Sequence, residues 1–123
     1  DGLLSVFYAN GPKWSFSRTD NEGYVTEVAE KIQISTNASN GFYYFSKGRD
    51  FVWAAEEMIE EDDRANGEFY VAPVYNYLIR RGKLIKLSRP RLVHNFGVPH
   101  DLEKFLVFLR QNQVEHNFTD LKL

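Results

Sequence analysis

The sequence predicts an α/β chain built as a mixed sheet with flanking helices. Three observations carry that expectation. Short runs rich in β-branched and aromatic residues come mostly first, and helical apolar spacing comes mostly later. No regular strand–helix–strand rhythm links them, which suits the second half of an open mixed sheet better than a complete doubly wound domain. At 123 residues the chain has one domain's length. Its 10 Phe, 7 Tyr and 2 Trp exclude a disordered polymer, and no apolar run approaches the ~20 residues of a membrane-spanning helix.

The first strand is expected over residues 3–8, punctuated by Asn10-Gly11-Pro12. Trp14 to Ser17 alternates aromatic and hydroxyl residues as a half-buried strand does. Asp20-Asn21-Glu22-Gly23 has the side chains of a hairpin reversal, and Tyr24 to Lys31 reads as the return strand. Ser35 to Asn40 reads as a polar loop. Gly41 to Phe45, almost wholly apolar, suits an interior strand buried on both faces. Asp50 is placed to cap a helix from Phe51, whose inner face is Phe51, Ala54, Ala55, Met58 and Ile59. Asn66-Gly67 ends that helix. A second helix is expected over residues 68–81, with Phe69, Val74, Tyr77 and Leu78 inside. Pro73 shifts its true start toward Val71 or Ala72, and Gly82 stops it. Strands over residues 83–87 and 91–96 and a helix over residues 100–112 complete the reading.

A net charge of −2 gives no electrostatic footprint for nucleic acid or an anionic membrane. The absence of Cys excludes disulfides, thiolate metal sites and a cysteine nucleophile, and suits a cytoplasmic setting. No secretory leader is visible, so the sequons at Asn37 and Asn117 read as chance. His94, His100 and His116 lack the spacing of a zinc site. Glu30-Lys31, at a strand end before a polar loop, is either an ion pair or a grip for the hydroxyls and phosphate of a ligand. Asn40 and Gly41 are either plain connection or a place where a ligand nears the backbone. Glu68 either complements a helix dipole or accepts sugar hydroxyls. No Walker loop, Gly-x-Ser-x-Gly or Gly-x-Gly-x-x-Gly is present.

Four blocks add a resemblance. Gly23 to Lys31, ending in Glu-Lys, Ser35 to Phe45, Asn66 to Asn76 around Gly67-Glu68, and Asn95 to Leu102 resemble, in order, segments of the sugar-1-phosphate nucleotidyltransferases. The resemblance spans roughly residues 3–109 and implies the C-terminal portion of a Rossmann-like (GT-A-like) nucleotidyltransferase domain. It implies joining a nucleoside triphosphate to a sugar 1-phosphate with release of pyrophosphate, in the synthesis of nucleotide sugars and polysaccharide. It also implies sugar-phosphate contacts at Glu30 and Lys31, sugar contacts at Asn40, Gly41 and Glu68, and Mg²⁺ as cofactor. Asn95 stands where many members carry a metal-binding Asp, and a neutral amide is a poorer partner for Mg²⁺. The Gly-rich triphosphate signature is not in the sequence. Residues 1–123 are therefore expected to be the sugar-phosphate-binding half of a longer domain, inactive alone, meeting nucleotide through the other half. A half sheet with an open edge also predicts self-association into a homo-oligomer, and a non-catalytic sugar-phosphate-binding or assembly module is the alternative.

Overall fold

Asp20 organises the first reversal. Its carboxylate accepts the backbone N–H groups of Glu22 and Tyr24, and Gly23 takes the positive φ of 82° that the turn needs. The computed structural model describes residues 1–112, with the chain dividing into two units, Asp1–Arg91 and Leu92–Leu123. His116 and the Asn117 sequon lie outside the described residues.

The first unit holds β1 (Gly2–Tyr8), β2 (Ser15–Thr19), β3 (Val25–Glu30), β4 (Asn37–Phe45), α1 (Gly48–Glu60), α2 (Val74–Arg80) and β5 (Ile85–Ser88). They form a mixed five-stranded sheet in the order β3-β2-β4-β1-β5, as the α/β expectation required. β1 and β5 run parallel, and the other pairs are antiparallel. Leu4, Val6, Val25, Val28 and Ile85 from the sheet bury against Ala54 and Met58 of α1 and Val74, Tyr75, Tyr77 and Leu78 of α2. Each large side chain removed from water in this way contributes about 1.5–3 kcal/mol.

Several boundaries differ from the sequence reading. β4 begins at Asn37, because the polar residues expected to form a loop find partners in the sheet. The Asn37 amide donates to the Ser17 carbonyl and accepts from Arg89, while Ala38 and Ser39 are buried. β4 is interior but not covered on both faces. Tyr43 and Phe45 pack on the core, whereas Phe42 and Tyr44 are exposed. α1 starts at Gly48 with Lys47 in the N-cap position, so Asp50 lies inside the first turn rather than capping it; it is ion-paired with Lys83. Ile59 is exposed, and Trp53, not expected inside, packs on the core.

α2 is shorter than expected. Pro73 occupies its N-cap position, and Asn66-Gly67 makes a two-residue turn of its own, with Ala65 and Glu68 exchanging both backbone hydrogen bonds. Consecutive positive φ values of 50° and 80° at Asn66 and Gly67 are those of a type I′ turn. Glu68 thus closes a hairpin-like turn and is not in a helix. No strand forms over residues 91–96.

Three consecutive residues of α2 fix the sheet. The buried Tyr75 hydroxyl lies 3.0 Å from the Leu3 carbonyl and 2.9 Å from that of Tyr44, and its ring stacks on Phe45 at 4.5 Å. A Cβ on Gly2 would come within 2.9 Å of the Tyr75 ring, so only glycine fits there. The Asn76 amide accepts the Val28 N–H and donates to the Val28 carbonyl, both at 2.8 Å. Tyr77 reaches the carboxylates of Glu61 and Asp63.

The second unit carries α3 (Pro99–Gln111), entered through Val98 with Pro at its first position, Asp101 in its first turn and Arg110 in its last. His94 packs between Phe105 and Phe108, each at 4.6 Å between ring centroids.

Replacing Asn76 by Ala strands the Val28 N–H and carbonyl. A loss of about 1–3 kcal/mol is expected in chemical denaturation.

Candidate functional site

β3 delivers Glu30 and Lys31 to a cleft of about 470 Å³ within the first unit, lined also by Pro12, Asp63, Arg64, Asn66, Tyr70 and Asn76. The two residues do not form the simple strand-end ion pair that was one of their readings. Each has its own partner. Glu30 accepts a short hydrogen bond from the hydroxyl of Ser15, its cross-strand neighbour. Lys31 donates through Nζ to the Tyr70 hydroxyl at 2.7 Å, and that hydroxyl donates to Glu68 at 2.8 Å.

Lys31 leaves the strand in the left-handed region, at φ 58°, while its N–H is held by the Trp14 carbonyl. This conformation costs a non-glycine residue roughly 1–2 kcal/mol. It turns the backbone away after Glu30, and the long side chain lines the cleft. The Tyr70 hydrogen bond, opposed by partial desolvation and helped by the nearby Glu30 and Glu68, raises the ammonium's pKa above its ordinary 10.5. The group is charged at every physiological pH. The small stability tied to this contact is complete below pH about 10.5 and is lost as the pH rises through the higher folded value.

The opposite wall is the turn after α1. Arg64 is held by Asp62 and by the Gly67 carbonyl, and its guanidinium lies 4.0 Å from the Phe69 ring centre. Asp63 is held by Tyr77, whose burial and carboxylate neighbours push its hydroxyl pKa far up, so it stays protonated. The cleft thus presents two cations, two carboxylates and two side-chain amides.

The structure brings Glu30, Lys31 and, through Tyr70, Glu68 together. Asn40 and Gly41 do not line this cleft. They form a bulge in which one residue of β1, Ser5, faces three of β4. Asn40 donates to the Ser5 hydroxyl and accepts from the Phe42 N–H; Gly41 has φ 89°, and nothing lies within 4 Å of where its Cβ would be. Sequence reasoning missed Asp63, Arg64, Tyr70 and Asn76. Tyr70 and Asn76 stood inside one of the four blocks, but Lys31 and Val28, which they hold, are 39 and 48 residues away and left no local signal.

Asn95 is in the second unit. It lines a hollow of about 200 Å³ with Val93, His94, Asp101, Lys104 and Phe105. One neutral amide, one imidazole and one carboxylate, with Lys104 on the same lining, do not fit Mg²⁺, which favours carboxylate oxygens and water. Among the described residues no cluster of three or more metal-ligating His, Cys, Asp or Glu occurs. Among them, too, no helix is long and apolar enough to cross a membrane.

Solved structures match the fold of the chain. The nucleoside-diphosphate-sugar pyrophosphorylase from Vibrio cholerae RC9 shares 36% identity over 87% of the chain, with a TM-score of 0.76, and the match covers 46% of that protein. A Bacillus anthracis protein assigned as a glucose-1-phosphate thymidylyltransferase, solved with a sucrose, matches at 16% identity over 89% of the chain. Its TM-score is 0.64 and 43% of it is covered, which shows the fold alone. The chain spans less than half the length of either. No protein-family model matches it, nor does any curated protein. The resemblance read from the four blocks is thus met by structure, and the chain is related to the sugar nucleotidyltransferases.

Two variants separate backbone from side chain at Lys31. Lys31→Gly relieves the left-handed strain and Lys31→Ala retains it, so the glycine variant should be the more stable by about 1 kcal/mol in urea denaturation.

Proposed function

We propose, from this relationship to the sugar nucleotidyltransferases, that residues 1–123 form the acceptor side of a sugar-1-phosphate nucleotidyltransferase. One observation carries the reading: Lys31 lines a polar cleft with a charged ammonium that has only one protein partner among the described residues. Two N–H donors remain for an anion. A sugar phosphate offers the matching chemistry, with phosphate oxygens for Lys31 and hydroxyls for the carboxylate of Glu30. Glu68 acts behind Tyr70. Asn40 and Gly41 make a second sugar contact on the β4 bulge, where open space above Gly41 leaves the backbone approachable.

In the whole catalyst a phosphate oxygen of the bound sugar would attack the α-phosphorus of a nucleoside triphosphate. The new P–O bond forms as the bond to the leaving pyrophosphate breaks. Holding the attacking oxygen in line is the acceptor side's contribution, and positioning is most of such catalysis. Nucleotide, and Mg²⁺ with it, would enter from the nucleotide side; nothing in this grip needs a metal at Asn95. Such a reaction belongs in the cytoplasm, supplying nucleotide sugars for polysaccharide. A second reading, binding without transfer, is favoured by Lys104, a cation that lines the same hollow as Asn95.

Thermal shift with a panel of hexose 1-phosphates tests the grip. The parent should be stabilised, Lys31→Ala should not, and the phosphate-free sugars should act weakly on both. Equal shifts in parent and variant would remove Lys31 from the site. The 123-residue chain, given sugar 1-phosphate and nucleoside triphosphate, should release no pyrophosphate, and turnover would contradict the division of labour.

A further inference from the structure

The geometry points to Tyr70 as a positioning residue that presents the Lys31 ammonium to an anionic ligand while keeping Glu68 from pairing with it. The inference rests on the sugar-phosphate reading of the cleft. The polarity of the relay is forced. Lysine has donors only and an ionised carboxylate has acceptors only, so the hydroxyl between them must accept from Lys31 and donate to Glu68. The Lys31 Nζ is also 4.7 Å from the Tyr70 ring centre. A hydrogen bond to the hydroxyl largely imposes that separation, so it counts as one interaction, not two.

The interposed hydroxyl has a chemical consequence. Were the carboxylate of Glu68 bonded directly to Lys31, an incoming phosphate would have to displace it. Here no ion pair joins Lys31 to Glu68 among the described residues; the carboxylate is one hydrogen bond removed and bonds a neutral group. Its field still favours the ammonium form of Lys31, and the charge stays available. The tether also orders a side chain that would otherwise lose rotamer freedom on binding, so part of that ordering precedes the ligand. The Asn66-Gly67 turn fixes the backbone of Glu68, two residues before Tyr70.

Tyr70→Phe keeps the ring and removes only the relay oxygen, and Glu68→Gln keeps the shape and removes the charge. The experiment measures hexose 1-phosphate affinity by calorimetry and the titration midpoint of the Lys31 side chain by NMR, with Lys31→Ala identifying the signal. Tyr70→Phe should weaken binding roughly three- to tenfold, shift the Lys31 midpoint as Glu68 is left free to meet the ammonium, and leave affinity for the phosphate-free sugar unchanged. Glu68→Gln, which removes only the favourable charge, should lower the midpoint. A Tyr70→Phe protein with parental affinity and an unchanged midpoint would overturn the positioning role alone. A parent that binds no hexose 1-phosphate would overturn the sugar-phosphate reading and this role with it.

Discussion

Two hydrogen bonds from the Asn76 amide stand in for a strand that β3 lacks at Val28. β3 ends the strand order, so its outward N–H and carbonyl at Val28 would otherwise lack a sheet partner. Satisfying both from one side chain locks α2 to the strand. β3 runs directly into Glu30 and Lys31, so the position of the cleft's charged residues depends on that clamp. Tyr75 and Tyr77, on either side of Asn76, tie the same short helix to β1 and β4 and to the turn after α1. Three adjacent residues of a seven-residue helix therefore hold the sheet and both walls of the cleft in register.

The cleft's electrostatics follow from partners rather than from net charge. Lys31, Arg64, Glu30 and Asp63 balance formally, yet their engagement differs. Arg64 is bound by Asp62 and Gly67, Asp63 by Tyr77 and Glu30 by Ser15. Of the two cations, Arg64 is neutralised by Asp62, whereas Lys31 answers only to a neutral hydroxyl. A site in which one cation is charged, oriented and otherwise uncommitted is suited to a phosphate.

Much of this was legible in the sequence where the cause is local. Asp20 and Gly23 carry the hairpin's chemistry within four residues, and the spacing of Ala54 and Met58 marks the inner face of α1. Glu30-Lys31 stood out as charge at a strand end. What was not legible depends on distant partners. Asn37 to Ser39 have the polarity of a loop, and the Ser17 carbonyl that receives the Asn37 amide lies 20 residues away in the sequence. Residues 91–96 have strand composition yet form no strand. Pro73 displaced the start of α2, and the Asn66-Gly67 turn took Glu68 out of a helix. Tyr70, an aromatic in an apolar stretch, gave no hint of its place between Lys31 and Glu68.

The most direct test of the account is an amide chemical-shift titration of the chain with a hexose 1-phosphate. Perturbations concentrated on residues 30–32 and 63–70, with a lesser set at residues 40–42, are the expected result. Shifts confined to the second unit, or no saturable shifts at all, would contradict the assignment of this cleft to a phosphorylated sugar.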